Sequence, residues 1–132
     1  MNTETRIKLL RVALVVFGLI FLVGVYPLMM SWWPSGWRWI PNQTEYEQMI
    51  LGVYATLGVF LLFAARNPMR YLGLIWFTAA SSAVHALIML AQAMRMPDEH
   101  GHLFGDIPAL LLVAVVLAVL TPRRVPEARA VA

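Results

Sequence analysis

The chain has 132 residues, of which 61% are hydrophobic and only 13% charged, carries a net charge of +3 and contains no cysteine. Soluble domains average about 45–50% apolar and about 25% charged residues, so this is not the composition of a water-soluble enzyme. Without cysteine, disulfides, thiolate metal sites and thiol catalysis are excluded. The sequence pI near 9.8 does not imply nucleic acid, because the basic residues flank apolar runs and form no stripe on a soluble face.

The runs Val12 to Trp37, Gln48 to Ala65 and Tyr71 to Met94 contain no Asp, Glu, Lys or Arg, and Leu103 to Pro122 contains only Asp106. Each reaches about 18 residues or more, enough to cross a hydrocarbon core of about 30 Å as a helix. The expected fold is all-α, a single four-helix transmembrane domain over residues 1–132, with helices at about 9–30, 45–65, 69–94 and 104–121.

The first run follows Arg6, Lys8 and Arg11 but is too long for a secretory signal, and no small-x-small cleavage site follows "LMMSWW", so it reads as a retained anchor. It leads into "SWWPSGWRW", which holds four of the five tryptophans. Tryptophan favours the headgroup level, where its ring is apolar and its N–H wet; an aromatic platform for a substrate is the alternative. The second helix ends at "RNPMR", where Pro68 and the short connection predict a tight antiparallel hairpin into the third. In "GDIPALLL", Asp106 is placed to cap the fourth helix, with Pro108 in its first turn. None of the spans shows a discontinuous Gly/Pro break of the transporter kind.

Arg6, Lys8, Arg11, Arg66, Arg70, Arg123, Arg124 and Arg129 fall on the side of the termini, and only Arg38 and Arg95 on the other. The positive-inside rule then predicts an up-down-up-down bundle in a bacterial inner membrane with both termini cytoplasmic. The outer side carries Glu45, Glu47, Asp98, Glu99, Asp106, His100 and His102.

Polar residues inside spans mark packed faces and sites. On the third helix Thr78, Ser81, Ser82, His85 and Gln92 fall within an arc of about 100°, and on the second Glu47, Tyr54 and Gly58 share a face. At about 1.5 Å per residue, His85 lies roughly 15 Å inward of Arg95 and Tyr54 roughly 13 Å inward of Glu45, so the two meet at one depth. Glu47, Gln92, Tyr54 and His85 then form a ladder opening outward. His85, Tyr54 and Glu47 are the candidate acid–base residues, and Gln92 and Ser81 candidate ligand contacts. The structural alternative is a neutral His85 that only ties the bundle together.

"MPDEHGHLFGD" supplies metal-ligating atoms in His100, His102 and Asp106, but His-x-His in a glycine-containing loop lacks the fixed i, i+4 geometry of helical metal motifs. The expectation is a hydrated outer loop without a metal. There is no phosphate loop and no serine elbow, so no cofactor is expected. Two functions remain open. One is a non-enzymatic membrane protein, a homo-oligomer or a subunit of a larger membrane complex, with Gly18, Gly24, Gly52 and Gly58 as close-contact points. The other is a membrane-embedded acid–base enzyme or binding protein for a lipophilic small molecule. In either case the surroundings are the lipid bilayer.

The segments "GVYPLMMSWWPSGWRW", "EYEQMILGVYATLGVFLLFAARNP", "LIWFTAASSAVHA" and "GHLFGDIPALLLVA" resemble a bacterial family of small four-helix membrane proteins labelled as a domain of unknown function. The resemblance covers roughly residues 8 to 122. It implies the four-helix membrane topology and no activity, cofactor or catalytic residue.

Overall fold

The computed structural model describes residues 2–39 and 44–123; Arg124 and Arg129 of the charge pattern lie outside them. Among the described residues four helices make up the fold: α1 (Thr3–Trp32), α2 (Thr44–Arg66), α3 (Leu72–Ala93) and α4 (Asp106–Leu120). Single turns of 3₁₀ helix at Pro34–Gly36 and Pro68–Tyr71 and a longer one at Pro97–Leu103 lie between them. There is no strand among the described residues. The spans Thr3–Trp32, Glu45–Arg66, Pro68–Ala93 and Pro97–Leu120 are each long and apolar enough to cross a membrane. Their outward faces carry Val12, Val23, Phe60, Phe77, Val84, Leu112 and Val119, all exposed, as a lipid-facing surface requires.

Helix α1 begins two turns earlier than the apolar run. Asn2 caps it by accepting a 2.8 Å bond from the Thr5 N–H, and Glu4 sits in the first turn, where the helix dipole favours an acid. Its C-terminal half is distorted. Residues Ile20–Gly24 and Leu28–Trp32 are π-helical, on either side of Val25–Pro27. Pro27 has no N–H for the ladder and Gly24 adds little stiffness, so i→i+5 bonds such as Trp33 N–H to the Leu28 carbonyl (3.1 Å) carry the helix through. The span read as regular is therefore continuous but locally widened.

The packing is pairwise: α1 lies against α2 and α3 against α4, with further contact between α1 and α4. Helices α2 and α3 touch little despite their short connection, which corrects the expected tight hairpin. The physical reason is the α1–α2 crossing. A Cβ on Gly58 would lie 2.6 Å from both the Gly18 carbonyl oxygen and the Leu22 amide nitrogen, so the two backbones meet with no room for a side chain. Gly18 and Gly58 are thus true contact points. Gly52 meets nothing within 4 Å, and Gly24 only the Ile20 side chain of its own helix.

At the end carrying the termini, Leu10, Leu14, Leu61, Ala64, Ile75 and Leu117 are buried in a continuous apolar core. Arg6 fastens this end by donating to the carbonyls of Val119 (2.7 Å), Leu120 (3.0 Å) and Thr121 (2.9 Å), the free acceptors at the C-terminus of α4. At the opposite end the helices part around a cavity.

Candidate ligand cavity

The cavity has a volume of about 490 Å³ and takes its walls from all four helices. The widened half of α1 contributes Ile20, Phe21, Val25 and Met29; α2 contributes Glu47, Ile50 and Tyr54. Helix α3 adds His85, Met89 and Gln92, and α4 adds Asp106, Ala109, Leu110 and Val113. Trp37, Arg38 and Trp39 also line it. A mostly apolar wall with a few polar groups, enclosing some hundreds of cubic ångströms, is the ordinary form of a small-molecule site.

Glu47, Tyr54, His85 and Gln92 all lie on this one wall. The Tyr54 hydroxyl is 3.0 Å from His85 Nδ1, a hydrogen bond that crosses from α2 to α3 where the helices themselves stand apart. Phe21 packs beside Tyr54 with ring centroids 5.2 Å apart. Ser81 is not part of the wall; its hydroxyl bonds back to the Thr78 carbonyl at 3.3 Å. Glu47 is paired. Arg38 donates from Nε to Oε1 (3.0 Å) and from Nη2 to Oε2 (2.7 Å), the bidentate fork that guanidinium and carboxylate geometry favours. The hydrogen bond to Glu47 holds the Arg38 proton more firmly than usual.

The segment expected to be a wet loop is wet only in part: Asp98 and His100 are exposed, whereas Glu99, His102 and Asp106 are buried. Residues Pro97–Leu103 form a 3₁₀ helix in which Glu99 is 1% and His102 0% exposed. The burial follows from two glycines. Gly101 packs on the Ser35 carbonyl and Gly105 on the Gly36 carbonyl so closely that a Cβ on either would collide with backbone, and this locks residues 97–105 onto residues 34–36. His102 stacks on Trp39 with centroids 4.3 Å apart and an interplanar angle of 16°. Its Nδ1 is 2.9 and 3.0 Å from the two Asp106 oxygens, and its Nε2 is 3.1 Å from the Arg38 carbonyl and 3.3 Å from a Glu99 oxygen. Both ring nitrogens face acceptors, an arrangement that an imidazolium satisfies with a donor on each side.

Asp106 is accordingly not the cap of α4. Gly105 occupies the cap position with no side-chain bond, and the Asp106 carboxylate turns instead to His102 while also forming part of the cavity wall. His100 is exposed and separate in character from buried His102. Among the described residues no three His, Asp or Glu side chains are grouped to hold a metal ion.

Trp32 and Trp33 are exposed and suited to an interfacial belt, whereas Trp37 and Trp39 belong to the cavity wall. The sequence assigns no site role to Arg38 or to the π-helical face of α1; the tryptophans read mainly as an interfacial belt, and Glu99, His102 and Asp106 are named without their burial as one cluster. That cluster had a readable signal, since spacings of three and four place those residues on one helical face.

Comparison with curated proteins and with solved structures returned no match. A family model matches residues 4–128, nearly the whole chain. The chain therefore belongs to that family, a family of unknown function (DUF6632).

Proposed function

We propose that this is a non-enzymatic, multi-pass protein of a bacterial inner membrane, with both termini cytoplasmic, that binds a lipophilic small molecule in the outer half of its bundle. One observation carries the reading: the cavity of about 490 Å³ lies inside the helix bundle, apolar over most of its wall, with Tyr54, His85, Gln92 and the Arg38–Glu47 pair as polar points. A protein serving only as a packing subunit has no use for such a space, because unfilled volume forfeits van der Waals contact. Neither a metal nor another cofactor nor nucleic acid enters this reading. The bilayer is both its surroundings and the source of its ligand, and the exposed apolar faces leave room for self-association or a larger membrane complex.

A second reading, acid–base conversion of the bound molecule, has one observation in its favour: Tyr54 and His85 are hydrogen-bonded at 3.0 Å on the cavity wall, where a proton can pass to or from a ligand. The test of binding is native mass spectrometry of the protein released from nanodiscs. The wild type is expected to carry a discrete small-molecule adduct that an Ala109→Trp variant, with the cavity filled, lacks while keeping its helical content. Identical spectra for the two proteins would sink the proposal. Recovery of a molecule chemically changed by the wild type but not by Tyr54→Phe would favour the second reading.

A further inference from the structure

The polar groups of the cavity are not equally free. Both Glu47 oxygens accept from Arg38, and both Asp106 oxygens lie within 3.0 Å of His102 Nδ1, so the acids on the wall already have donors. The remaining groups differ. The Tyr54–His85 pair holds two hydrogens, one on the phenol and one on a neutral imidazole, and its mutual bond uses one of them. Whichever way that bond runs, the pair keeps one donor, His85 Nε2–H or Tyr54 O–H.

Gln92 adds an amide that makes no hydrogen bond among the described residues, at the rim of the same wall. Trp37, whose ring also lines the cavity, has its Nε1–H buried with no acceptor among the described residues. Indole can only donate, and an unmet buried donor is a cost that an acceptor oxygen reaching the wall removes. The unmet capacity of the cavity is thus mainly hydrogen-bond donation, set among Phe21, Met29, Met89, Leu110 and Val113.

We infer that the ligand is an apolar molecule that presents an acceptor-only oxygen, a carbonyl, to His85, Gln92 and Trp37, and that it is not a lipophilic amine. The inference rests on the binding reading above and narrows it to a ligand class. Two sources share this chemistry: a lipid-soluble ring carbonyl of the quinone type and the ester carbonyl of a glycerolipid.

The experiment uses the full chain in nanodiscs of ether-linked phosphatidylcholine, which contribute no ester carbonyl. Binding is measured by calorimetry for three probes: a decyl-tailed benzoquinone, a dioctanoylglycerol and decylammonium. At least one carbonyl probe should bind tenfold or more tighter than decylammonium, and which one does so identifies the source. His85→Phe should weaken that probe about tenfold, and His85→Gln, which restores an amide donor, should recover most of the loss. Because His85→Phe also removes the tie to Tyr54, Gln92→Leu at the rim serves as an independent variant and should weaken the same probe. Tighter binding of decylammonium that Ala109→Trp abolishes would overturn the carbonyl assignment while leaving the binding reading standing. Failure of every probe to bind, together with identical native spectra for wild type and Ala109→Trp, would overturn both.

Discussion

Replacing His102 tests the buried cluster whose Asp106 lines the cavity. His102→Phe preserves an aromatic ring for the stack on Trp39 and removes both polar ends of the imidazole. Lost are the bond to the Asp106 carboxylate at 2.9 Å and the bond to the Arg38 carbonyl at 3.1 Å. Hydrogen bonds to charged groups contribute about 1.5–3 kcal/mol each. Removing one partner of a buried ion pair costs about 3–5 kcal/mol, because the other is left uncompensated. The two routes agree on a loss of about 3–5 kcal/mol, measurable by equilibrium unfolding in mixed micelles with increasing dodecyl sulfate. The double variant His102→Phe with Asp106→Leu leaves no orphaned carboxylate at that position and should recover part of the loss. A single-variant loss below about 1 kcal/mol, within the range of an exposed ion pair, would refute the account of a buried, interlocked His102 cluster.

Other outcomes follow from the same geometry. Gly58→Val must force apart backbones that leave no space for a Cβ and should destabilise the protein by about 2 kcal/mol or more, whereas Gly52→Val, with nothing within 4 Å, should stay within about 0.5 kcal/mol in the same unfolding assay. Arg6→Gln removes a charged donor from three terminal carbonyls of α4 and should cost about 1–2 kcal/mol, with faster hydrogen exchange confined to the last turn of that helix. Gly105→Ala should loosen the contact with the Gly36 carbonyl and expose the His102 cluster, read as faster amide exchange at residues 97–105.

The membrane-length helices were legible because their signal is composition over about 18 residues, which no local packing detail can mask. The placement of Glu47, Tyr54, His85 and Gln92 on converging faces was legible too, since helical period and rise per residue fix direction and depth. The buried His102 cluster was not. "DEHGH" looks hydrated because four of its five residues are charged or readily charged in water, yet the burial of Glu99 and His102 depends on contacts distant in sequence: Gly101 on Ser35, Gly105 on Gly36 and His102 on Trp39. For the same reason Asp106 looked like a helix cap, a local role, when its partner is a buried histidine one turn away. Nor does Arg38 advertise its pairing with Glu47, which depends on how the chain returns from α1 to α2. The short connection at Pro68 was a poor guide to packing, because the Gly18–Gly58 contact draws α2 toward α1 and away from α3.

The most direct test of a ligand-binding cavity is a cryo-electron microscopy map of the protein in nanodiscs of native lipid extract, with a rigid antibody fragment bound to aid alignment. The account predicts a discrete non-protein density enclosed by Phe21, Tyr54, His85, Met89 and Leu110, ending in a polar contact with His85 or Gln92. A map in which α2 and α3 close together and side chains alone fill the space would contradict it.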